Sequence, residues 1–211
     1  MSDGVKSSAP GREQARTRLA RRAVIAAARS LFTEGGYATT TISAISRRAD
    51  VPEPTVYRLF SSKLGILRVL LDVSIAGDDE PIALPQRPSV ASLFDEPDAH
   101  KVLAGFAEVT TQINKRTNDF YSVLGRAADS DAEAAELFGA LRRQRDRGQE
   151  KIVQALHRKQ KLRAGLKARD AADIVHALMS PEVYRLLVTD RAWPPDRYQQ
   201  WATDTLIQQL T

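Results

Sequence analysis

Residues 36–67 read GYATTTISAISRRADVPEPTVYRLFSSKLGIL. Thr39-Thr40-Thr41 brings hydroxyls suited to starting a helix, and Ile42, Ile45 and Ala49 then share one face, so a short helix of about two turns is expected. Asp50-Val51-Pro52 stops it, because Asp tolerates turn geometry and the proline ring disfavours helix at Val51. A second short helix is expected over Glu53–Phe60. Pro54 is acceptable there because it falls in the first turn, where no amide donor is needed. Ser61-Ser62-Lys63 offers a further cap before Leu64, Leu67, Leu70 and Leu71. Two short helices joined by a tight turn form a helix-turn-helix, the motif running from about 41 to 60.

Working outward, Ala20, Ala23, Val24, Ala27, Ala28, Leu31 and Phe32 recur at steps of three and four, which predicts one helix over Arg12–Glu34 ended by Gly35-Gly36. Residues 1–13 lack the apolar stretch of a secretory signal and are expected to be a disordered tail. Downstream, Asp78, Asp79, Glu80, Pro81, Pro85 and Pro88 fall in an aperiodic stretch, Gly77–Pro97, expected to be a linker. Further helices are expected over Asp98–Arg116, Phe120–Ala128, Ala132–Arg158, Asp170–Thr189 and Asp196–Leu210. Pro181 is expected to kink the fourth of these without dividing it, since the apolar spacing continues on both sides. Arg142 to Lys151, with five basic and two acidic residues, reads as a solvated face. No alternating run suggests a strand. The class is therefore all-α, with a three-helix helix-turn-helix head over 14–76 and a helical bundle over 77–211.

Charge separates the two parts. Residues 1–75 hold 12 Lys and Arg against 6 Asp and Glu, whereas the remaining residues hold 19 against 20. A basic head on a near-neutral body points to a polyanion partner for the head. A helix has about the width of the DNA major groove, and the second helix of such a motif presents its side chains to base edges. The absence of cysteine removes disulfides, thiolate metal sites and cysteine nucleophiles, and is compatible with a cytoplasmic location. No run of about 18 apolar residues is present to span a membrane. His100, His157 and His176 are scattered, and no catalytic or metal-binding pattern joins them, so neither an enzyme, a metal nor a cofactor is expected.

The ordered set Gly36-Tyr37, Thr40-Thr41, Ile45, Ala49, Val51, Thr55-Val56-Tyr57, Phe60 and Ser62-Lys63 resembles the DNA-binding head of tetracycline-repressor (TetR) family regulators. Asp50, Ser46, Pro52 and Pro54 depart from the residues usual there, Asp50 standing where glycine is common. The resemblance implies a homodimeric, cytoplasmic transcriptional regulator, typically a repressor, binding an inverted-repeat operator in double-stranded DNA. It also implies a body that pairs with a second subunit through its last two helices and holds a small-molecule effector.

Glu53, Thr55 and Arg58 project from the reading helix as candidates for base contact, with Arg58 reaching either a guanine edge or a phosphate. Thr40, Thr41, Tyr57 and Lys63 are read as phosphate positioners, and Arg47 and Arg48 either add charge or cap the second helix. In the body, Phe106, Phe120, Tyr121, Phe138 and Tyr184 are candidates for a ligand pocket, with ordinary core packing as the alternative. Met179, Tyr184, Leu187, Trp201, Leu206 and Leu210 are expected at a dimer seam. An effector-independent regulator or protein-interaction module of the same fold is the competing function; an internal cavity favours the first reading and a filled body core the second.

Overall fold

The computed structural model describes residues 10–78 and 82–211, with side chains from residue 13 onward. The first nine residues of the expected tail, and Asp79, Glu80 and Pro81 of the expected linker, lie outside that range. All regular structure among the described residues is helical. The chain forms two compact units that divide at Leu70/Leu71, inside a helix, rather than at the 76/77 boundary suggested by composition.

The first unit contains α1 (Pro10–Thr39), α2 (Ile42–Ala49), α3 (Glu53–Phe60) and the beginning of α4 (Lys63–Ala76). Helix α1 already includes Pro10–Glu13 of the expected tail, and it is broken at Gly36, whose φ of 82° and ψ of 173° leave the helical region. Val24, Ala28, Phe32, Ile45, Val56, Phe60 and Leu67 fill the core of this unit, each almost wholly enclosed. Ile42, Ala49 and Leu59, on the same apolar faces, remain half-buried.

The second unit begins with Leu71 on α4. A 3₁₀ turn (Leu84–Gln86) and α5 (Pro88–Asp95) occupy most of what composition marked as linker. Helix α5 belongs to the core: Leu93 is buried against Gly105, where an added Cβ would come within 2.5 Å of it. The Lys159 ammonium also donates to the carbonyls of Phe94 and Glu96, at 2.7 and 2.8 Å. Helix α6 (Ala99–Ala128) is continuous where two helices were expected, and α7 (Ala132–Arg158) packs along it.

The expected kink at Pro181 is instead a full break. Helix α8 (Ala168–Leu178) stops before Ser180, which is extended (φ −70°, ψ 147°) and accepts a hydrogen bond from the Val183 amide at 3.1 Å, capping α9 (Pro181–Tyr184). A π-helical turn, Arg185–Asp190, continues α9, and α10 (Pro195–Leu210) closes the body. Tyr198 of α10 is wholly buried, donates its hydroxyl to the Leu178 carbonyl at 3.2 Å and meets Tyr184 edge-to-face at 5.0 Å. Burial pushes the phenols of Tyr184 and Tyr198 above their ordinary pKa.

Candidate nucleic-acid interface and body cavity

The turn between α2 and α3 is fixed by residues that depart from the usual pattern. Thr41 caps α2 by accepting the Ala44 amide at 3.1 Å. Asp50 adopts the left-handed conformation (φ 53°, ψ 42°) that a glycine would otherwise serve and that Asp tolerates better than most residues. The Val51 amide returns to the Ser46 carbonyl at 3.1 Å, while the Ser46 hydroxyl donates to the Val51 carbonyl at 2.7 Å. Ser46 thus ties the turn from both of its polar groups. Pro52 begins α3 with an extended backbone, and its carbonyl accepts the amides of Thr55 and Val56.

This geometry divides the expected DNA-facing residues. Thr41, Arg47, Arg48, Tyr57 and Arg58 are exposed, Tyr57 half of its surface despite its size, while Glu53 and Thr55 are half-buried on α3. Thr40 is buried, and its hydroxyl donates to the Gly36 carbonyl at 2.8 Å. The Lys63 ammonium donates to the Tyr37 carbonyl at 2.7 Å and sits 4.1 Å from that ring's centre. Arg48 is held at 2.9 Å by the Glu34 carboxylate and at 2.6 Å by Ser30. That contact keeps the Glu34 carboxyl below its ordinary pKa. Thr40 and Lys63 therefore brace the end of α1, and Arg48 couples α1 to α2, where the sequence suggested phosphate positioning or capping.

A cavity of about 340 Å³ lies within the second unit. Leu71, Ile75, Leu93, Phe106, Ile113 and Ile152 contribute apolar wall, and Thr117, Tyr121, Arg145 and Gln149 contribute polar wall. Of the five expected pocket aromatics, Phe106 and Tyr121 line it. Phe120 and Tyr184 are buried elsewhere among core side chains, and Phe138 packs at a tilt against the Tyr121 ring with centroids 4.9 Å apart. Arg145 and Gln149 were hidden in the supposedly solvated run from Arg142 to Lys151. Their signal was spacing: Leu141, Arg145, Gln149, Ile152 and Leu156 follow one another at steps of four and three on α7.

The expected dimer seam needs a larger correction. Met179, Leu206 and Leu210 are 0% exposed and Tyr184 only 3%, all packed into the body's own core. A side chain enclosed by its own chain is not available to a second one. Leu187 and Trp201 are half-buried, and Leu186, not singled out from sequence, is 51% exposed.

Residues 24–70 match the family model described as bacterial regulatory proteins, tetR family. That match lies within the head. The matched segment of this tetR-type head contains α2 and α3 and ends where the first unit ends. No curated protein matches the chain. Among solved structures, the transcriptional regulator FadR from Bacillus subtilis, in complex with stearoyl-CoA, superposes with a TM-score of 0.68 at 17% identity, covering 88% of this chain and 97% of that one. NalD from Pseudomonas aeruginosa, the secondary repressor of the MexAB-OprM multidrug efflux pump, gives 0.66 at 19% identity, covering 91% and 96%. The fatty acid degradation regulator FadR from Bacillus halodurans gives 0.65 at 15% identity, covering 96% and 97%. The tetR-type head thus precedes a helical body of the fold these regulators share. No helix among the described residues is long and apolar enough to cross a membrane.

Proposed function

We propose that this chain is a transcriptional repressor that reads an inverted-repeat operator as a homodimer and leaves it when a small molecule enters the body cavity. The observation that carries this reading is the exposed face of α3, Tyr57 and Arg58 on a tetR-type head whose own core is otherwise closed. Arg58 is the candidate for a guanine edge, with Glu53 and Thr55 beside it. Thr41, Arg47 and Tyr57 are suited to phosphate oxygens, and Thr40, Arg48 and Lys63 act behind them by fixing the helices.

The cavity supports the ligand-responsive reading over an effector-independent module, since a body that served only as scaffold would gain from being filled. Leu71 and Ile75, which line the cavity, lie on α4, the helix to which Lys63–Leu70 of the head also belong. For the dimer, Leu187 and Trp201 remain in the proposed seam and Leu186 joins them. The other regulators' ligands give precedent only in kind: Bacillus subtilis FadR was solved with stearoyl-CoA.

The test is a mobility-shift assay on duplexes selected by the protein from a random library. Arg58→Ala is expected to weaken the selected site by roughly 1–3 kcal/mol and to flatten preference at one base position per half-site. Equal weakening on every sequence assigns Arg58 to phosphate. An unselective wild-type protein contradicts the proposal.

A further inference from the structure

The polar end of the body cavity carries a feature that neither the fold nor the core requires. Gln149 lines the cavity, is 4% exposed, and neither Nε2 nor Oε1 of its carboxamide has a hydrogen-bond partner among the described residues. A buried amide left without partners is costly, and nearly all such groups in folded proteins have one. The Tyr121 hydroxyl, on the facing helix α6, is likewise enclosed and without a partner among the described residues. Asn114, which also lines the cavity and is 3% exposed, leaves its Nδ2 without a partner among the described residues, so three uncharged hydrogen-bonding side chains border one largely apolar chamber.

We propose, resting on the reading of this cavity as the effector site, that it takes an uncharged molecule with an apolar body and an amide-like edge, an N–H beside a carbonyl, that pairs with Gln149. A carboxamide offers two donors and one acceptor, so its best complement is a group with both functions, such as a primary amide or a lactam. Charge balance favours a neutral ligand over a charged one. Arg145, four residues before Gln149 and on the same helix face, has its guanidinium 3.8 Å from Asp146 and 3.7 Å from Glu182. Neither distance is a hydrogen bond, and Arg145 Nε and Nη1 have no hydrogen-bond partner among the described residues. The two carboxylates, which do not line the cavity, balance the guanidinium's charge and leave those donors to a neutral acceptor such as an amide carbonyl. Arg147 and Lys151 also border the cavity but are exposed, where water screens them. No carboxylate lines the cavity among the described residues, which leaves an ammonium without a counter-charge.

The test is calorimetric titration of the full chain with three probes sharing one tail: octanamide, octanoate and octylammonium. Octanamide is expected to bind at least about ten-fold more tightly than the other two. Gln149→Leu is expected to remove that advantage while leaving octanoate affinity within about two-fold. Gln149→Met, unbranched and of similar length, provides a second variant if the first lowers the melting temperature. Equal affinities, tighter binding of either charged probe, no binding of any probe, or an amide preference that survives both substitutions overturns the proposal. Release of a selected DNA duplex is followed in parallel. If octanamide binds through Gln149 but the DNA complex persists, the ligand class stands and the effector reading falls. If octanoate alone binds and releases DNA, the ligand class falls and the effector reading stands.

Discussion

Gly36 and Asp50 both leave the ordinary helical region, but only one of them needs glycine. At φ 82° and ψ 173°, Gly36 occupies a region essentially closed to other residues, and an added Cβ there meets nothing within 4 Å. The cost of Gly36→Ala is thus pure backbone strain, expected at about 1–3 kcal/mol in chemical denaturation. Leu206 sits at the other extreme, fully enclosed in the body core. Leu206→Ala is expected to cost about 2–5 kcal/mol, whatever the protein concentration, because the loss is internal packing rather than a subunit contact. The Arg48–Glu34 pair is exposed and yields little stability, yet it leaves a titration signature. A carboxyl held below its ordinary pKa contributes stability above that ordinary value and loses it as pH falls through the lowered one. In an NMR titration, Arg48→Ala is expected to return the Glu34 carboxyl toward the normal range; an unmoved Glu34 contradicts the pairing. Residue types and faces were legible here, whereas depth was not. The spacing that put Met179, Leu206 and Leu210 on apolar faces cannot say whether their own chain or another covers them.

At the scale of elements, the helix-turn-helix was readable because local chemistry determines it. Thr41 caps, Asp50 turns and Pro52 starts α3, and the bounds of both short helices follow directly. Helix α5 escaped because its prolines and acids look like linker, while the contacts that hold it, Leu93 on Gly105 and Lys159 on the Phe94 and Glu96 carbonyls, come from far along the chain. The break at Pro181 has a local cause: Ser180 is a good cap, and a capped proline begins a new helix more readily than it bends an old one. Ser180→Ala is therefore expected to lower stability by about 0.5–2 kcal/mol through loss of the Val183 amide bond, measured by urea denaturation. The cavity's polar wall was concealed by charge, since Arg145 and Gln149 stand in a run dominated by basic side chains that do face solvent.

At the scale of the molecule, we propose a head that reads DNA, a body that holds a ligand and a pair of subunits. The subunit claim is separable from folding, because Leu186 is on the surface of a single chain. Leu186→Glu is expected to yield a folded monomer in light scattering, whereas wild type remains a dimer at micromolar concentration. A monomeric wild type contradicts the paired arrangement, although the head and cavity would stand. The claim on which the rest depends is that the basic head binds DNA with sequence preference. The most direct measurement is selection of duplexes from a random library, followed by affinity for the enriched site across ionic strength. An inverted repeat with half-site centres about one helical turn or a multiple apart is expected. If each dimer makes about 6–10 phosphate contacts, its affinity should fall by roughly 10³-fold or more between about 50 and 200 mM salt. A library that returns no common sequence, or an affinity indifferent to salt, contradicts the account.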